Sequence, residues 1–286
     1  MTYRELYLYG KRTLAQAGVD SPGFDAAALA ERFLGLDRPG LAVRGEQQPP
    51  EEAERAYLQA VRERAQRRPL QYILGQWEFM GLTLSVGEGV LAPREDTAVL
   101  VEALARQLQD IPAPRGLDLC AGTGAVALGL CSLLPETEVT CVELDDAAAQ
   151  YLEENLHEYP QYHVNLARED VLSPQAPERF PGGLDFIASN PPYVSERELA
   201  NLQPEVRREP ELALNGGPDG LAFYRAIGAN WVKLLRPGGV LAVEIGESQA
   251  QAVAKIFHSA GLEDLHTLQD WARLDRVVWG RSPMKK

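Results

Sequence analysis

The sequence predicts an α/β protein with a mostly parallel sheet, preceded by a small helical domain. From residue 93 onward, short apolar runs of strand character alternate with helical patterns, which is typical of a parallel sheet covered on both faces. Before residue 73, apolar residues recur at helical spacing between glycines and prolines. The length of 286 residues allows two domains, and a hydrophobic content of 45% suffices for a sizeable core.

Three amphipathic helices are expected in residues 1–72, which we interpret as a helical domain that docks a substrate. They span 3–17, 21–34 and 51–67, and each is followed by a glycine or proline that ends the pattern. Two strand-like runs at 76–80 and 82–86 flank Gly81. They predict a β-hairpin within a linker of residues 73–92.

The third part of the chain, residues 93–286, contains the alternating pattern. A helix is expected over 97–108. Seven runs have strand character: 116–120, 138–143, 163–167, 184–189, 240–245, 262–268 and 276–279. The last two are separated by a short loop, which predicts a hairpin at one edge of the sheet.

Charge and cysteine content limit the function classes. The net charge of −13 is the sum of +1 over residues 1–75 and −14 over residues 76–286, and an acidic surface disfavours wrapping of bare DNA or RNA. Three cysteines without zinc spacing indicate reduced thiols in a cytoplasmic protein, and four scattered histidines suggest no metal site. No apolar stretch approaches the roughly 18 residues that a membrane helix needs.

The segment Asn190–Tyr193, with the sequence Asn-Pro-Pro-Tyr, follows the buried strand at 184–189. It lies where a parallel strand ends, which is where ligands bind in open α/β sheets. An Asn oxygen and a backbone carbonyl can accept both protons of one NH2 group, and Pro191 has no N–H to disturb that geometry. The ring of Tyr193 adds a flat apolar surface. The set suits a planar amide or amino nitrogen, although a simple turn uses the same dipeptides.

A glycine-rich turn spans residues 118–124 between a strand and a helix. Gly122 and Gly124 leave room for a ligand to touch the backbone, and the following helix offers exposed N–H groups. Glu143 comes 19 residues after Gly124 at the end of the next strand, where an acid can accept both ribose hydroxyls. The third glycine of a dinucleotide site is missing. The spacing therefore favours S-adenosylmethionine, with a tight turn that binds nothing as the alternative.

With these motifs in this order, the chain resembles the class I S-adenosylmethionine-dependent methyltransferases, which implies a Rossmann-like fold with a seven-stranded sheet. Two more segments are similar to those of the HemK/PrmC protein-glutamine methyltransferases. One runs from Glu209 to Arg225 and contains Asn-Gly-Gly-Pro-Asp-Gly, and the other is Leu-Ala-Pro-Arg-Glu-Asp-Thr at 91–97. The helical domain and the hairpin fit this family too, so the resemblance covers essentially the whole chain.

The resemblance implies methyl transfer from S-adenosylmethionine to the side-chain N5 of glutamine in the Gly-Gly-Gln loop of peptide-chain release factors. The spent cofactor is S-adenosylhomocysteine. The implied catalytic residues are Asn190, Pro191 and Tyr193, and the substrate contacts are these three with Pro192 and Glu209. The implied cofactor contacts are Asp118, Cys120, Ala121, Gly122, Thr123, Gly124, Glu143, Asp170, Val171 and Asn190. We expect a monomer that binds a release factor and contacts neither nucleic acid nor membrane directly.

Two positions depart from the family pattern, which has Gly in place of Cys120 and Glu in place of Ala98. Other functions stay open at this point: glutamine methylation of a ribosomal protein, N6-methylation of DNA adenine, or a non-catalytic binding module. DNA adenine methyltransferases share the Asn-Pro-Pro-Tyr motif, but the acidic charge of residues 76–286 disfavours a DNA groove. The intact Asn190 and glycine turn disfavour a module without catalysis.

Overall fold

The computed structural model describes residues 1–284 and contains two compact units. The first comprises Met1–Gln76 together with the short segment Gln203–Arg208, and the second comprises Trp77–Leu202 and the chain from Glu209 onward. No helix within the described residues is long and apolar enough to cross a membrane.

Helices alone build the N-terminal part of the first unit. They are α1 (Tyr3–Gln16), α2 (Pro22–Leu34), α3 (Arg38–Arg44), α4 (Glu51–Ala65) and α5 (Leu70–Leu74). A capping box starts α1, because Thr2 Oγ1 accepts from the backbone N–H of Glu5 and the Glu5 carboxylate accepts from that of Thr2. The three expected helices are confirmed. The helices α3 and α5 were not predicted, since five to seven residues are too few to show apolar periodicity.

A buried ion-pair network lies inside the first unit. Arg64, 7% exposed, donates from Nε to Asp25 Oδ2 at 2.6 Å and from Nη2 to Glu205 Oε1 at 2.9 Å. Arg67 lies 3.3 Å from the same Glu205 oxygen, and Arg208 donates to the carbonyl of Gln66. These contacts attach the segment Gln203–Arg208 to the helices.

The predicted hairpin is confirmed as a two-stranded sheet of β1 (Gln76–Phe79) and β2 (Leu82–Ser85). Its two loop residues, Met80 and Gly81, have φ values of +50° and +80°. Positive φ at both positions is the requirement of a type I′ turn, whose twist matches that of the flanking strands.

The second unit is built on a seven-stranded sheet. Its strands are β3 (Arg115–Leu119), β4 (Glu138–Glu143), β5 (His163–Arg168), β6 (Leu184–Ser189), β7 (Leu235–Glu244), β8 (Glu263–Gln269) and β9 (Asp275–Arg281). The order is β5-β4-β3-β6-β7-β9-β8, in which the first five strands are parallel and β9 is antiparallel to both neighbours. The structure thus confirms the mostly parallel sheet and the hairpin at its edge.

Helices cover both faces of this sheet. They are α6 (Ala98–Leu108), α7 (Ala125–Leu133), α8 (Asp146–Glu158), the short α9 (Glu196–Leu199), α10 (Ala222–Ala226) and α11 (Ala250–Ser259). Alternate residues of β6 enter different cores: Phe186 and Ala188 pack with α6, α7 and the hairpin, and Ile187 packs with α10 and α11. Both cores are apolar, which explains why the strands read as continuous hydrophobic runs.

Cys120, directly after β3, has a left-handed backbone with φ of +59°. That conformation costs an L-residue with a Cβ atom roughly 1–2 kcal/mol, and glycine adopts it without this cost. The backbone at this position therefore favours glycine, the residue that the resemblance implies here.

Replacing Cys120 with glycine should change the free energy of unfolding by less than about 1 kcal/mol. Relief of the left-handed strain offsets the lost packing and the greater entropy of glycine in the unfolded chain. Cys141→Gly is the matched control: Cys141 is fully buried in β4, so the same change should cost about 2 kcal/mol or more. Urea unfolding followed by circular dichroism measures both, and equal losses would contradict the strain at Cys120.

Candidate active site

Four neighbouring parallel strands, β4, β3, β6 and β7, end at the same level of the sheet, so the residues at their carboxyl ends are aligned. Leu119 of β3 pairs with Val142 of β4 and with Ser189 of β6, and Ser189 pairs with Val243 of β7. The next residues along these strands are Cys120, Glu143, Asn190 and Glu244. Because parallel strands run in the same direction, this row lies at the carboxyl edge of the sheet, where α/β proteins bind ligands.

A cavity of about 300 Å³ opens at this edge, which is the size of a small-molecule site. Nine of the predicted site residues line it: Cys120, Ala121, Gly122, Thr123, Glu143, Asp170, Val171, Asn190 and Pro192. The other five do not form its wall: Asp118, Gly124, Pro191, Tyr193 and Glu209. The roles predicted for all of them stay predictions, and their contacts show what each is placed to do.

Glu143 is held rigidly at the end of β4. Its Oε2 accepts from the N–H of Gly122 at 2.8 Å, and its Oε1 accepts from the N–H groups of Leu144 and Asp145 at 2.8 and 2.9 Å. A carboxylate has about four acceptor positions, so these bonds orient Glu143 and leave capacity for a further donor. A ribose hydroxyl at the cavity wall is such a donor.

The glycine turn leads directly into α7. Gly124, the residue before the helix, has φ of +80°, and a Cβ atom there would lie 2.5 Å from Leu152 Cδ1 of α8. The positive φ therefore favours glycine at this position, and a larger residue would also have to displace the Leu152 side chain. The role of Gly124 in the structure is to bring the turn close to α8, while Gly122 is the glycine that faces the cavity.

Asp118 is a buried carboxylate beneath the turn. Its Oδ2 accepts from the N–H of Ala127 at 3.2 Å, while Oδ1 has no hydrogen-bond partner among the described residues. Burial raises the pKa of Asp118 to about 8. Because Asp118 does not line the cavity, its unpartnered oxygen is an unsatisfied buried group that supports the turn from beneath.

Asp170 and Val171 form another part of the wall, after β5. Asp170 Oδ1 accepts from the N–H of Leu172 at 2.8 Å, which starts a turn. The carbonyl of Val171 accepts from Trp231 Nε1 at 3.0 Å. This bond ties the backbone of Val171 to the core that also contains Ile187 and residues of α10 and α11. The pair combines an acceptor with an apolar surface, as binding of a purine ring requires.

Asn190 lines the cavity and is oriented from behind by Thr97. Its Nδ2 donates to Thr97 Oγ1 at 3.2 Å, and Thr97 in turn donates to Glu244 Oε2 at 2.6 Å. The carbonyl oxygen of Asn190 is then the end of the amide that remains for a ligand.

Tyr193 also contacts Glu244, since its hydroxyl donates to Oε1 at 3.3 Å. Burial raises the pKa of the Tyr193 phenol well above its usual value, and the nearby Glu244 charge adds to the rise. The phenol is therefore protonated at neutral pH and acts as a hydrogen-bond donor.

The segment containing Asn-Gly-Gly-Pro-Asp-Gly packs against the backbone of residues 192–194. Val194 donates to the carbonyl of Leu214 at 2.9 Å, and Gly216 donates to that of Val194 at 2.8 Å. A Cβ atom at Gly220 would lie 2.4 Å from the carbonyl oxygen of Tyr193. The glycines of this segment thus allow the backbone contact that supports the Asn-Pro-Pro-Tyr turn.

Glu209 is 6% exposed and precedes a segment, residues 210–213, that contributes to the cavity wall. It accepts from the N–H of Ala92 at 3.3 Å and pairs with the guanidinium of Arg94, which lines the cavity. Burial raises the pKa of Glu209, and the positive charge of Arg94 opposes the rise. The structure therefore places Glu209 behind the wall, where it shapes the cavity through Arg94.

Sequence reasoning missed Thr97, Arg94 and Glu244. The sequence could have indicated Glu244, because Glu244 ends the strand β7 just as Glu143 ends β4. Thr97 and Arg94 lie in the 91–97 segment, but a partner 147 residues away in the chain cannot be identified from local spacing.

Comparisons with known proteins agree with this geometry. Residues 5–75 match the PrmC N-terminal domain, and residues 93–209 match the methyltransferase small domain. The release factor glutamine methyltransferase of Geobacter sulfurreducens is 40% identical over 281 residues, which cover 98% of this chain and 96% of that protein. The one from Moorella thermoacetica is 38% identical over 278 residues, covering 96% and 97%.

Among solved structures, the hMettl16 catalytic domain in complex with the MAT2A 3′UTR hairpin 6 matches with a TM-score of 0.53 at 16% identity. The match covers 71% of this chain and 77% of that one, and at this identity it shows the fold alone. The class I methyltransferase fold, the S-adenosylmethionine cofactor and the family resemblance are confirmed. This chain belongs to the release factor glutamine methyltransferases, a family of S-adenosylmethionine-dependent enzymes.

Proposed function

We propose that this protein methylates the side-chain N5 of the glutamine in the Gly-Gly-Gln motif of peptide-chain release factors. The observation that carries the proposal is the position of Asn190 at the cavity wall, with its amide nitrogen engaged by Thr97. The carbonyl oxygen of Asn190 is thereby available to a substrate NH2 group. The names of the relatives, which are release factor glutamine methyltransferases, support this substrate over a ribosomal protein or DNA.

The chemical difficulty is that a glutamine nitrogen is a weak nucleophile, because its lone pair is delocalised into the carbonyl. When bound, S-adenosylmethionine supplies an electrophilic methyl group on a positively charged sulfur. The protein must hold the nitrogen in line with that group, and alignment contributes several kcal/mol, up to ~7–11 in the best models. The Asn190 side chain and the Pro191 carbonyl accept the two N–H bonds and stabilise the positive charge that develops on nitrogen.

Tyr193 and Pro192 complete the substrate site in this proposal, with the Tyr193 ring packed against the amide plane. The phenol of Tyr193 is protonated at neutral pH, so it does not serve as a base. None is needed before attack, since the nitrogen becomes acidic only once it is alkylated.

The residues of the cavity fit S-adenosylmethionine. Glu143 offers a fixed acceptor for the ribose, Asp170 an acceptor for the adenine amino group, and Val171 an apolar surface for its ring. In this proposal, Asp118, Gly122 and Gly124 form the turn that would lie beneath the methionine portion, and of these three Gly122 lines the cavity. These assignments are consistent with the cofactor of the family.

We further propose that the first unit, called the helical unit below, docks the release factor. The match of residues 5–75 to the PrmC N-terminal domain supports this proposal. The three cysteines are free thiols, in keeping with the reducing cytoplasm where release factors act. We also propose that the protein acts as a monomer.

Asn190→Ala should retain S-adenosylmethionine binding but reduce methyl transfer at least ~100-fold, comparable to the loss of one preorganised polar contact. Transfer of labelled methyl to purified release factor measures the rate, and calorimetry measures cofactor affinity. Asn165→Ala, which alters an exposed Asn of β5, is the control and should behave as wild type. Undiminished turnover in Asn190→Ala would remove Asn190 from the mechanism.

Glu143→Ala should weaken S-adenosylmethionine binding at least ~10-fold, since a hydrogen bond to a charged group contributes roughly 1.5–3 kcal/mol. Glu138→Ala, at the exposed start of the same strand, is the control for charge loss on β4. Calorimetric titration gives both dissociation constants, with circular dichroism to verify folding. An unchanged affinity in folded Glu143→Ala would refute the ribose assignment.

A short Gly-Gly-Gln peptide should be methylated at least ~100-fold less efficiently than folded release factor, because binding energy from remote contacts is lost. The comparison is made as kcat/KM by mass spectrometry of both substrates. Release factor with its motif glutamine replaced by alanine gives the background. Equal efficiency on peptide and protein would rule out docking by the helical unit.

A further inference from the structure

A chain of hydrogen bonds runs behind the Asn-Pro-Pro-Tyr turn. It starts at Asn190 Nδ2, passes through Thr97 Oγ1 at 3.2 Å, reaches Glu244 Oε2 at 2.6 Å and returns from Glu244 Oε1 to the Tyr193 hydroxyl at 3.3 Å. Thr97 is 3% and Glu244 2% exposed, so water does not compete for these bonds. One buried carboxylate thus contacts Tyr193 directly and is linked to Asn190 through Thr97.

The direction of this chain follows from counting protons. A threonine hydroxyl has one proton and an ionised carboxylate has none, so Thr97 must donate to Glu244 and accept from its other neighbour. The NH2 group of Asn190 satisfies that requirement. In the reverse orientation, the Asn190 oxygen would face Thr97 Oγ1. No hydrogen bond could then form between these two oxygens, because the Thr97 proton is already donated to Glu244. Ionised Glu244 therefore presents the oxygen of Asn190 to the cavity.

We propose that Glu244 is a positioning residue for methyl transfer, which acts through Thr97 on the orientation of the Asn190 amide and directly on Tyr193. The inference rests on the proposed function, in which the Asn190 oxygen accepts from the glutamine NH2 group. A carboxylate can set this direction because it only accepts. A protonated Glu244 can donate to Thr97, which releases the Thr97 proton toward Asn190 and allows the amide to turn its NH2 group to the substrate.

The surroundings of Glu244 place its titration near neutral pH. Burial raises the pKa of Glu244 to about 7, while the Thr97 hydrogen bond, the charge of Arg276 and the Tyr193 hydrogen bond oppose the rise and Asp96 adds to it. Arg276 is shared, since it pairs with Asp270 at 2.9 Å and lies 3.7 Å from Asp96. The groups that act on this site electrostatically are Asp96, Tyr193, Tyr224 and Arg276. Methyl transfer should therefore be full above this pKa and fall as the pH decreases through it.

Thr97→Val and Thr97→Ser test the link. Valine keeps the shape but removes the hydroxyl, so kcat should fall at least ~10-fold, with the dissociation constant of S-adenosylmethionine within about threefold of wild type. Serine restores the hydroxyl and should keep kcat within about threefold of wild type. The rescue by serine and the effect on kcat alone separate positioning from a structural role, with circular dichroism as the folding control.

The pH profile of kcat provides the second measurement, at saturating cofactor and release factor between pH 5.5 and 8.5. Wild type should lose activity in acid with an apparent pKa near that of Glu244, and Glu244→Gln, which cannot ionise, should lack this acidic limb. A flat wild-type profile, or a limb that persists unchanged in Glu244→Gln, would overturn the inference. The wild-type profile requires no variant to fold.

Asn190→Ala separates this inference from the proposed function. Normal turnover in Thr97→Val, together with loss in Asn190→Ala, would overturn the positioning role and leave the proposed function intact. Normal turnover in Asn190→Ala would instead refute the proposed site. If Thr97→Val weakened cofactor binding and kcat/KM by the same factor, the hydrogen bonds of Thr97 would serve cofactor binding. That result would also overturn the inference.

Discussion

The register of four parallel strands is the constraint on which the rest of this site depends. Backbone pairing of β3, β4, β6 and β7 places the residue after each paired position in one row at the carboxyl edge. Cys120, Glu143, Asn190 and Glu244 thus become neighbours, although they are far apart in the chain. Shifting one strand by a single residue would move its side chain to the other face, so the site exists only in this register.

Hydrogen bonding of buried carboxylates is the second organising feature. Glu143 accepts three backbone N–H groups, and Glu244 accepts two hydroxyl protons. A buried acid without such donors would be costly, which explains why the turn at Gly122 and the hydroxyl of Thr97 lie where they do. The same bonds that stabilise these acids also orient side chains at the cavity wall.

The chain path around the Asn-Pro-Pro-Tyr turn links the two units covalently. After Tyr193 the backbone passes α9, contributes Gln203–Arg208 to the helical unit, and returns to the second unit at Glu209, which holds Arg94 at the cavity wall. Glu205 is fixed within the helical unit by buried Arg64. The chain that follows the Asn-Pro-Pro-Tyr turn therefore belongs in part to each unit.

Local signals in the sequence were enough to determine the α/β class, the three main N-terminal helices, the hairpin, the glycine turn and the acid and amide at strand ends. The spacing of apolar residues and the presence of turn residues can be read from neighbouring positions in the chain. The carboxyl ends of parallel strands lie at one edge in any such sheet, so the residues there can be predicted to be close together. The short helices α3 and α5, the membership of Gln203–Arg208 in the first unit, and the Thr97–Glu244 bond were decided only by the tertiary structure. Strand register and packing determine which residues meet across 147 positions of chain, and no local pattern encodes that distance.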